Sequence, residues 1–363
     1  MKRNGLKIGL ALSGGGMRAI IFHLGVLKYL AEKKLLENVE YVSSVSGGSI
    51  TLALMYTNNN MHWVSSDEYI DRVLPSIRRM ILSEDIERRF ILRSIIDIPH
   101  ILDTKCKKLA NTMKIFWGMN GKLGELPKNP RWDINAVTYE TGKRFFFSQE
   151  RCGDNRIGYF YGKELDIAEA VAASAGFPIL IGMYELKRDN FEWFDRYGEK
   201  KIEPSKGKLH LWDGGIYDNL GLEPIFQRIL REDEKVNYYI VSDAGAGSKE
   251  FVVYRKIFGR VRALKRLLDI SMEQVDSLNS RFYKEYIEKE KNGVYIRIGE
   301  SAFEILKDRE MEGWRKLKRI NNSLSIKECR WAECYPTNLK KPKEEEFDKL
   351  LRHGYESMLL KSL

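Results

Sequence analysis

The sequence predicts an α/β protein, a three-layer sandwich whose mostly parallel central sheet is covered by helices on both faces, with a helical insertion. Three observations predict it. Short apolar runs of buried-strand length alternate with segments of helical spacing near the N-terminus. Two of those runs end in small-residue turns that lead directly into helices, at Ser13-Gly14-Gly15-Gly16 and Ser44-Val45-Ser46-Gly47-Gly48. A later apolar strand runs into a third such turn, Asp213-Gly214-Gly215. In sheets of this kind the chemistry sits beyond the carboxyl ends of the strands, where these turns lie.

The elements follow in order. Leu6 to Leu12 reads as a buried strand, and Arg18 to Lys33 as a helix with Ile21, Leu24, Val26, Leu27 and Leu30 apolar. Val39 to Val45 is the second strand and Gly47 to Tyr56 the second helix. From about Ser65 to Gly124 charged and apolar residues alternate at helical spacing, which predicts a helical insertion over or beside the sheet; Leu126-Pro127 and Asn129-Pro130 end it. Trp132 to Tyr139 and Lys143 to Gln149 read as strands joined at Thr141-Gly142. Leu165 to Ala175 is a small-residue helix closed by Gly176-Phe177-Pro178. Lys208 to Trp212 and Val236 to Val241 are strands, the latter ending at Ser242-Asp243-Ala244-Gly245. Phe251 to Glu288 is a long helical region, Val294 to Ile298 a further strand, and Glu344 to Leu351 a charged helix, with helical residues again after Gly354. No linker stands out, so a catalytic domain over residues 6–245, with the insertion at about 65–124, is expected to carry residues 246–363 as an extension packed on it.

The 363 residues, 43% of them hydrophobic, suffice for a large core. The first twelve residues have a basic tip and an apolar run, yet the run ends in three glycines without a cleavage pattern, so a strand is the better reading than a signal peptide. No window has the length of a membrane span. The 4 cysteines form no CxxC pair, which suggests a reduced, intracellular protein without structural zinc. The net charge of +10 favours an anionic partner, nucleic acid or an anionic lipid surface, without choosing between them.

A serine on a tight strand-to-helix bend is exposed at a helix N-terminus, which suits a nucleophile. Ser46 occupies such a bend, in the pattern S-x-S-x-G rather than G-x-S-x-G. A plain N-cap at Ser46 competes with this reading, as do Ser43, Ser44 and Ser49. The glycines at Gly14, Gly15 and Gly16 can present bare N–H groups to an anion. The absence of a following Gly-Lys-Ser/Thr excludes a phosphate-binding P-loop. Gly14-x-Gly16-x-x-Ala19 fits a loose dinucleotide fingerprint, but Ser46 stands where that fold wants an acidic residue. An oxyanion hole needs a nucleophile at a neighbouring strand end, and Ser46 supplies one. Arg18, a cation in the first turn of a helix, is unfavourable there and is better explained as a ligand-facing charge or an ion pair. No histidine sits in a glycine-rich turn; His353 is the only late one. Asp213, at a strand end before two glycines, is better placed as a base, since burial can raise its pKa. A turn aspartate capping its own backbone is the alternative, and Asp218 and Asp243 are neighbouring competitors.

With these residues in hand, the chain resembles the patatin-like phospholipases. Four segments match in order: Ser13 to Ala19 resembles the oxyanion motif, Ser44-Val45-Ser46-Gly47-Gly48 the nucleophile motif, Ala173-Ser174-Ala175-Gly176-Phe177-Pro178 the small-residue helix and proline turn, and Asp213-Gly214-Gly215 with Tyr217-Asp218-Asn219 the aspartate motif. The likeness runs from about Leu6 to Gly245. It implies a patatin-like fold and a Ser-Asp dyad of Ser46 as nucleophile and Asp213 as base. It places the oxyanion hole at Gly14, Gly15 and Gly16 with Arg18 close by, and implies hydrolysis of phospholipid acyl esters without a metal or other cofactor. Ser44 for glycine and Ala19 for glycine depart from the family pattern.

The implied partner is a phospholipid or membrane surface, with nucleic acid not expected, and the implied location is cytoplasmic with peripheral membrane contact. The basic amphipathic segment Phe251 to Ile270, or the Ile115-Phe116-Trp117 stretch of the insertion as a lid, could meet lipid. A general esterase or lysophospholipase, and an inactive lipid-binding module using the same glycines, are the alternative functions; a nucleic-acid binder is motivated by charge alone.

Overall fold

Five strands built from the apolar runs form the parallel half of the sheet. They are β1 (Ile8–Leu12), β2 (Val39–Val45), β3 (Arg131–Thr138), β11 (Tyr238–Asp243) and β12 (Gly293–Arg297), in the spatial order β12-β11-β1-β2-β3. The computed structural model describes residues 5–96, 104–178, 181–203, 207–231, 235–245, 259–307, 318, 319 and 321–362. Beyond β3 the sheet turns antiparallel through β4 (Arg144–Phe147), β5 (Cys152–Asp154), β6 (Gly158–Phe160), β8 (Trp193–Phe194) and β9 (Lys201–Ile202). Two more strands, β7 (Tyr184–Lys187) and β10 (Lys208–Asp213), attach through an antiparallel pairing of β10 with β3. The α/β class is therefore present with a mixed sheet, and its antiparallel half is larger than the apolar runs alone suggest. Those strands are short, and Gly153 and Gly158 hold positive φ angles of 145° and 103° within them.

Alternation along each strand sends side chains to two cores. Ile8, Leu10 and Leu12 enter one, together with Val42, Ile240 and Ile296. Ala11, Tyr41, Tyr239, Val241 and Tyr295 enter the other. The first face is covered by α1 (Gly16–Glu32), α2 (Gly47–Thr57) and the terminal helix Glu344–Lys361; the second by Glu223–Leu230 and the long helix Gly259–Glu290.

The terminal helix crosses α1 at backbone contact. A Cβ on Gly25 would lie 2.0 Å from the Leu351 carbonyl oxygen, and one on Gly354 would lie 2.0 Å from that of Phe22. Around this crossing Phe22 meets His353 edge-on at 5.4 Å and Tyr29 meets Tyr355 at 5.8 Å. Residues far beyond the glycine turns thus cover the helix that those turns start.

The expected insertion contains the helices Leu74–Ser83, Ile86–Ile96 and Lys105–Trp117, the last packed on the Ile167–Ser174 helix. Residues 97–103 of that stretch, including His100, lie outside the described residues. The lid reading of Ile115 to Trp117 is corrected in part: Trp117 is fully buried, Phe116 lies under the Arg89 guanidinium at 4.6 Å, and only Ile115, 57% exposed, faces out. Of the amphipathic segment expected at 251–270, residues 251–258 fall outside the described residues. Among the described residues no helix is long and apolar enough to cross a membrane.

The crossing of two glycines makes a sharp test. Gly354→Ala forces the terminal helix off α1 and is expected to cost about 3 kcal/mol of unfolding free energy by overpacking, read from urea denaturation; a neutral effect would show that the helices do not touch there.

Candidate active site

β2 and β10 reach the same edge of β3 from opposite directions. β4 pairs with Ile134 to Val137 on one edge of β3, so the other edge must take both remaining partners. Along it β2 pairs in parallel up to Val45 opposite Asn135, and β10 pairs antiparallel down to Asp213 opposite Ala136. The carboxyl ends of the two strands therefore meet head to head on adjacent rungs. The next residue of β2 is Ser46, and the last of β10 is Asp213.

Ser46 takes φ 49° and ψ −114°, a conformation that costs a non-glycine residue about 1–3 kcal/mol. Its side chain makes no cap hydrogen bond with α2, so the N-cap reading does not hold. Its N–H donates to Ser174 Oγ at 3.0 Å. That hydroxyl continues a buried chain: Ser174 Oγ lies 2.9 Å from Ser49 Oγ, Ser49 Oγ lies 2.9 Å from Ser44 Oγ, and Trp132 Nε1 donates to Ser44 Oγ at 2.8 Å. Ser43 donates to the Gly221 carbonyl at 2.7 Å. The competing serines are thus buried hydrogen-bonding groups, and Ser46 alone of the four is partly exposed.

Asp213 is 5% exposed. Burial pushes its carboxyl up to about 7, against hydrogen bonds from the Gly215 N–H, at 2.8 Å, and the Ser46 side chain. The Ser46 side chain therefore lies beside the Asp213 carboxyl, close enough to favour its charged form. The Asp213 N–H donates to the Gly176 carbonyl at 3.1 Å and Gly214 N–H to that of Ser174 at 3.3 Å. The small-residue helix and its turn thus hold both partners, Ser174 from the serine side and Gly176 from the aspartate side. Past this turn opens a cleft of about 300 Å³ lined in part by Lys105, Pro178, Ile181 and Met183. Asp243 is engaged elsewhere, accepting from Tyr295 Oη at 2.6 Å and Gly245 N–H at 2.8 Å; Asp218 Oδ2 accepts from Glu223 N–H at 2.6 Å, and its Oδ1 is buried without a hydrogen-bond partner.

The three expected oxyanion glycines separate into two kinds. Gly14 N–H already donates to the Asn219 carbonyl at 3.0 Å, so it is not free to bind an oxyanion. Its glycine serves space: a Cβ there would sit 2.4 Å from Asn219 Oδ1 and 3.2 Å from Ser46 Cβ. Gly15, at φ 143°, and Gly16, at φ 61°, have N–H groups with no protein acceptor among the described residues. The two turns touch through backbone, since a Cβ on Gly47 would meet the Gly16 carbonyl oxygen at 2.7 Å and one on Gly48 that of Leu12 at 2.3 Å.

Arg18 departs from expectation. It is 2% exposed and faces the protein rather than a ligand. Its guanidinium donates to the carbonyls of Ala244 (2.9 Å), Glu333 (3.0 Å) and Tyr335 (2.7 Å) and to Thr337 Oγ1 (3.2 Å). Next to this loop the Met17 N–H donates to the Asn338 carbonyl at 2.7 Å. Burial lowers Arg18 to about 10. Arg18 thus pins the 333–337 loop to the start of α1. The late histidine is also structural: His353 is 1% exposed and its Nε2 accepts the Gly299 N–H at 2.8 Å.

Ser174 lay within a motif that the sequence offered without a role. Trp132 gave no signal as a site residue, Ser49 only that of a competing serine and Asn219 only that of a motif member without a role, because their contribution is contact across segments rather than spacing along the chain. Ser174→Ala removes the acceptor of the Ser46 N–H and interrupts the hydroxyl chain. It is expected to cost about 1–3 kcal/mol of stability, the desolvation cost of buried groups left unpaired, measured by denaturant unfolding; a change under a few tenths would deny the chain any weight.

The sequence profile of the family described as patatin-like phospholipase matches residues 10–226, more than half of the chain. The mouse (Mus musculus) protein named cytosolic phospholipase A2 gamma is 46% identical over 56 residues, a match covering 15% of this chain and 9% of that protein. The human GIVD cytosolic phospholipase A2 structure is similar at TM-score 0.55 and 15% identity, over 100% of this chain and 59% of that one. Its complex with methyl gamma-linolenyl fluorophosphonate and terbium chloride is similar at TM-score 0.52 and 15% identity, over 100% and 58% respectively. At that identity the likeness is one of fold, and this chain spans less than two thirds of those proteins.

Proposed function

This chain belongs to the patatin-like phospholipase family, and we propose that within it the chain is a phospholipase A-type hydrolase that cleaves phospholipid acyl esters with Ser46 as nucleophile and Asp213 as base. The observation that carries this reading is a strained, partly exposed serine at the end of β2, set against the end of β10 and its buried carboxyl, whose pKa is raised to about 7. A base poised near the working pH combines a useful ionised fraction with real proton affinity.

In the proposed reaction the Asp213 carboxylate takes the Ser46 proton as Oγ attacks the ester carbonyl. The Gly15 and Gly16 N–H groups, aligned at the start of α1, receive the oxyanion. The tetrahedral species collapses, the lysophospholipid leaves with the proton held by Asp213, and water then frees the fatty acid from Ser46 by the same steps. Phospholipid at a membrane surface is the proposed substrate, reached from the cytoplasm. The names of the relatives, cytosolic phospholipases A2, support both the substrate class and the location.

Ser46→Ala is expected to abolish both lipid hydrolysis and covalent labelling by an alkyl fluorophosphonate. Asp213→Asn is expected to lower kcat about 10³-fold, within the range for losing a general base. Product mass spectrometry on mixed phospholipids then separates phospholipase from lysophospholipase or general esterase. Labelling that persists in Ser46→Ala would overturn the assignment, and absence of any turnover or labelling in the native chain would leave a binding module.

The pH dependence has a fixed sign. Asp213 must be ionised to act, so kcat/KM is expected to fall on the acid side of about pH 7. The unfolded chain ionises this residue near its ordinary value of 3.8, so stability is lost as pH rises from there to about 7. Asp213→Asn escapes that loss and is expected to be more stable than the native chain at pH 8, by up to about 4 kcal/mol on a three-unit shift, with the difference closing near pH 4 in thermal melts. Equal melting at both pH values would show that the carboxyl is not desolvated.

A further inference from the structure

Asp276 stands on the inner face of the Gly259–Glu290 helix, far along the chain from every glycine turn. Its Oδ2 receives the Asn219 side-chain amide at 3.5 Å, while its Oδ1 is buried with no hydrogen-bond partner. Asn219 is the residue whose carbonyl holds the Gly14 N–H, and whose Oδ1 fills the space beside Gly14 and Gly215. One turn back on the same helix, Met272 Cε would lie 3.4 Å from a Cβ on Gly215. The helix thus presses on the loop that follows Asp213, and Asp276 is its polar contact with that loop.

We propose that Asp276 is a positioning residue for the hydrolysis: by clamping Asn219 it fixes Gly14, and with it the turn that presents Gly15 and Gly16 opposite Ser46. This rests on the reading of Ser46 as nucleophile. The groups facing Asp276 are the carboxyls of Asp218 on the Gly215–Asp218 helix and Asp243 at the end of β11, together with the Tyr295 hydroxyl on β12. Among the described residues no group of acidic, histidine or cysteine side chains is arranged to hold a metal ion. The Arg297 guanidinium lies 3.9 Å from Asp243 Oδ2, and the Asp243 and Asp218 carboxyls, when ionised, repel a charge on Asp276. Burial, then Asp243 and Asp218, push Asp276 well above the usual carboxylate range, against hydrogen bonds from the Asn219 side chain and backbone. The clamp therefore operates with a neutral acid; ionisation keeps the Asn219 bond but sets a buried charge against Asp243 and Asp218, which drives the helix off the loop on the alkaline side. Asparagine reproduces the neutral form, whereas leucine keeps the bulk without the hydrogen bond.

The test measures kcat, KM and the rate of fluorophosphonate labelling for the native chain, Asp276→Asn and Asp276→Leu on one phospholipid substrate. Asp276→Leu is expected to lose at least tenfold in kcat and in labelling rate with KM within twofold. Asp276→Asn is expected to keep at least half of kcat, and to lack the alkaline decline that the native chain shows. Native-like kcat in Asp276→Leu, or equal damage in both variants, would overturn the clamp. If Asp276→Leu does not fold, the alkaline limb decides alone: its survival unchanged in Asp276→Asn would overturn the proposal. A native chain without Ser46-dependent labelling would sink the functional reading itself, a distinct result.

Discussion

One edge of β3 serves two strands that arrive from opposite ends, and the site follows from that sharing. β2 leaves the edge at Val45 because β10 occupies the next rung with Asp213. A β2 longer by one paired residue would collide with β10, so the chain must bend at Ser46. The bend is thus imposed by the sheet rather than chosen by local propensity, and a serine held at positive φ is the result. Because β4 fixes the other edge of β3 through Ile134 to Val137, β3 cannot slide to relieve the crowding.

Two unfavourable features sit at this junction, a strained serine and a carboxyl kept out of water. Each persists only because its surroundings are overdetermined. The serine backbone is tied by its N–H to Ser174, whose hydroxyl is in turn linked through Ser49 and Ser44 to Trp132 on β3. The aspartate backbone is tied to Gly176, two residues further along the same segment. A displacement of the Ile167–Ser174 helix would therefore move Ser46 and Asp213 together. Buried polar chains of this kind are costly when incomplete and specifying when complete, and this one is closed by the Ser44 hydroxyl, where the family pattern has glycine.

What the sequence made legible was whatever lies within a turn. Ser46, Asp213 and the three glycines each announce themselves by small neighbours at a strand end. The parallel strands were readable from their continuous apolar runs, because both faces are buried. What could not be read depends on contacts between distant segments. Arg18 looked like a ligand-facing charge because its acceptors, the carbonyls of Glu333 and Tyr335, carry no side-chain signature. Gly14 looked like an oxyanion donor until its N–H was found on Asn219. The short strands β5, β6, β8 and β9 have two or three residues each, too few for a period to show. The crossing at Gly25 and Gly354 is equally silent, since an isolated helical glycine resembles a mere weak point until the partner backbone is seen against it.

That the proposed pair of Ser46 and Asp213 dispenses with an imidazole has a physical rationale in the same desolvation. Removing a group from water disfavours whichever form carries charge, so it moves acids up and bases down. At Asp213 burial raises a carboxyl to about 7. At His23, packed under the neighbouring strand ends, it lowers an imidazole to about 4. His23 is accordingly a neutral connector, with Nε2 donating to the Ser13 carbonyl at 2.9 Å and Nδ1 accepting the Ser242 hydroxyl at 2.8 Å. In so dry a setting histidine is too weak a base for neutral pH, and an aspartate becomes a strong enough one. A fold that meets its strand ends in a closed interior therefore favours a carboxylate in the proposed role of proton acceptor, and frees His23 to tie strands together.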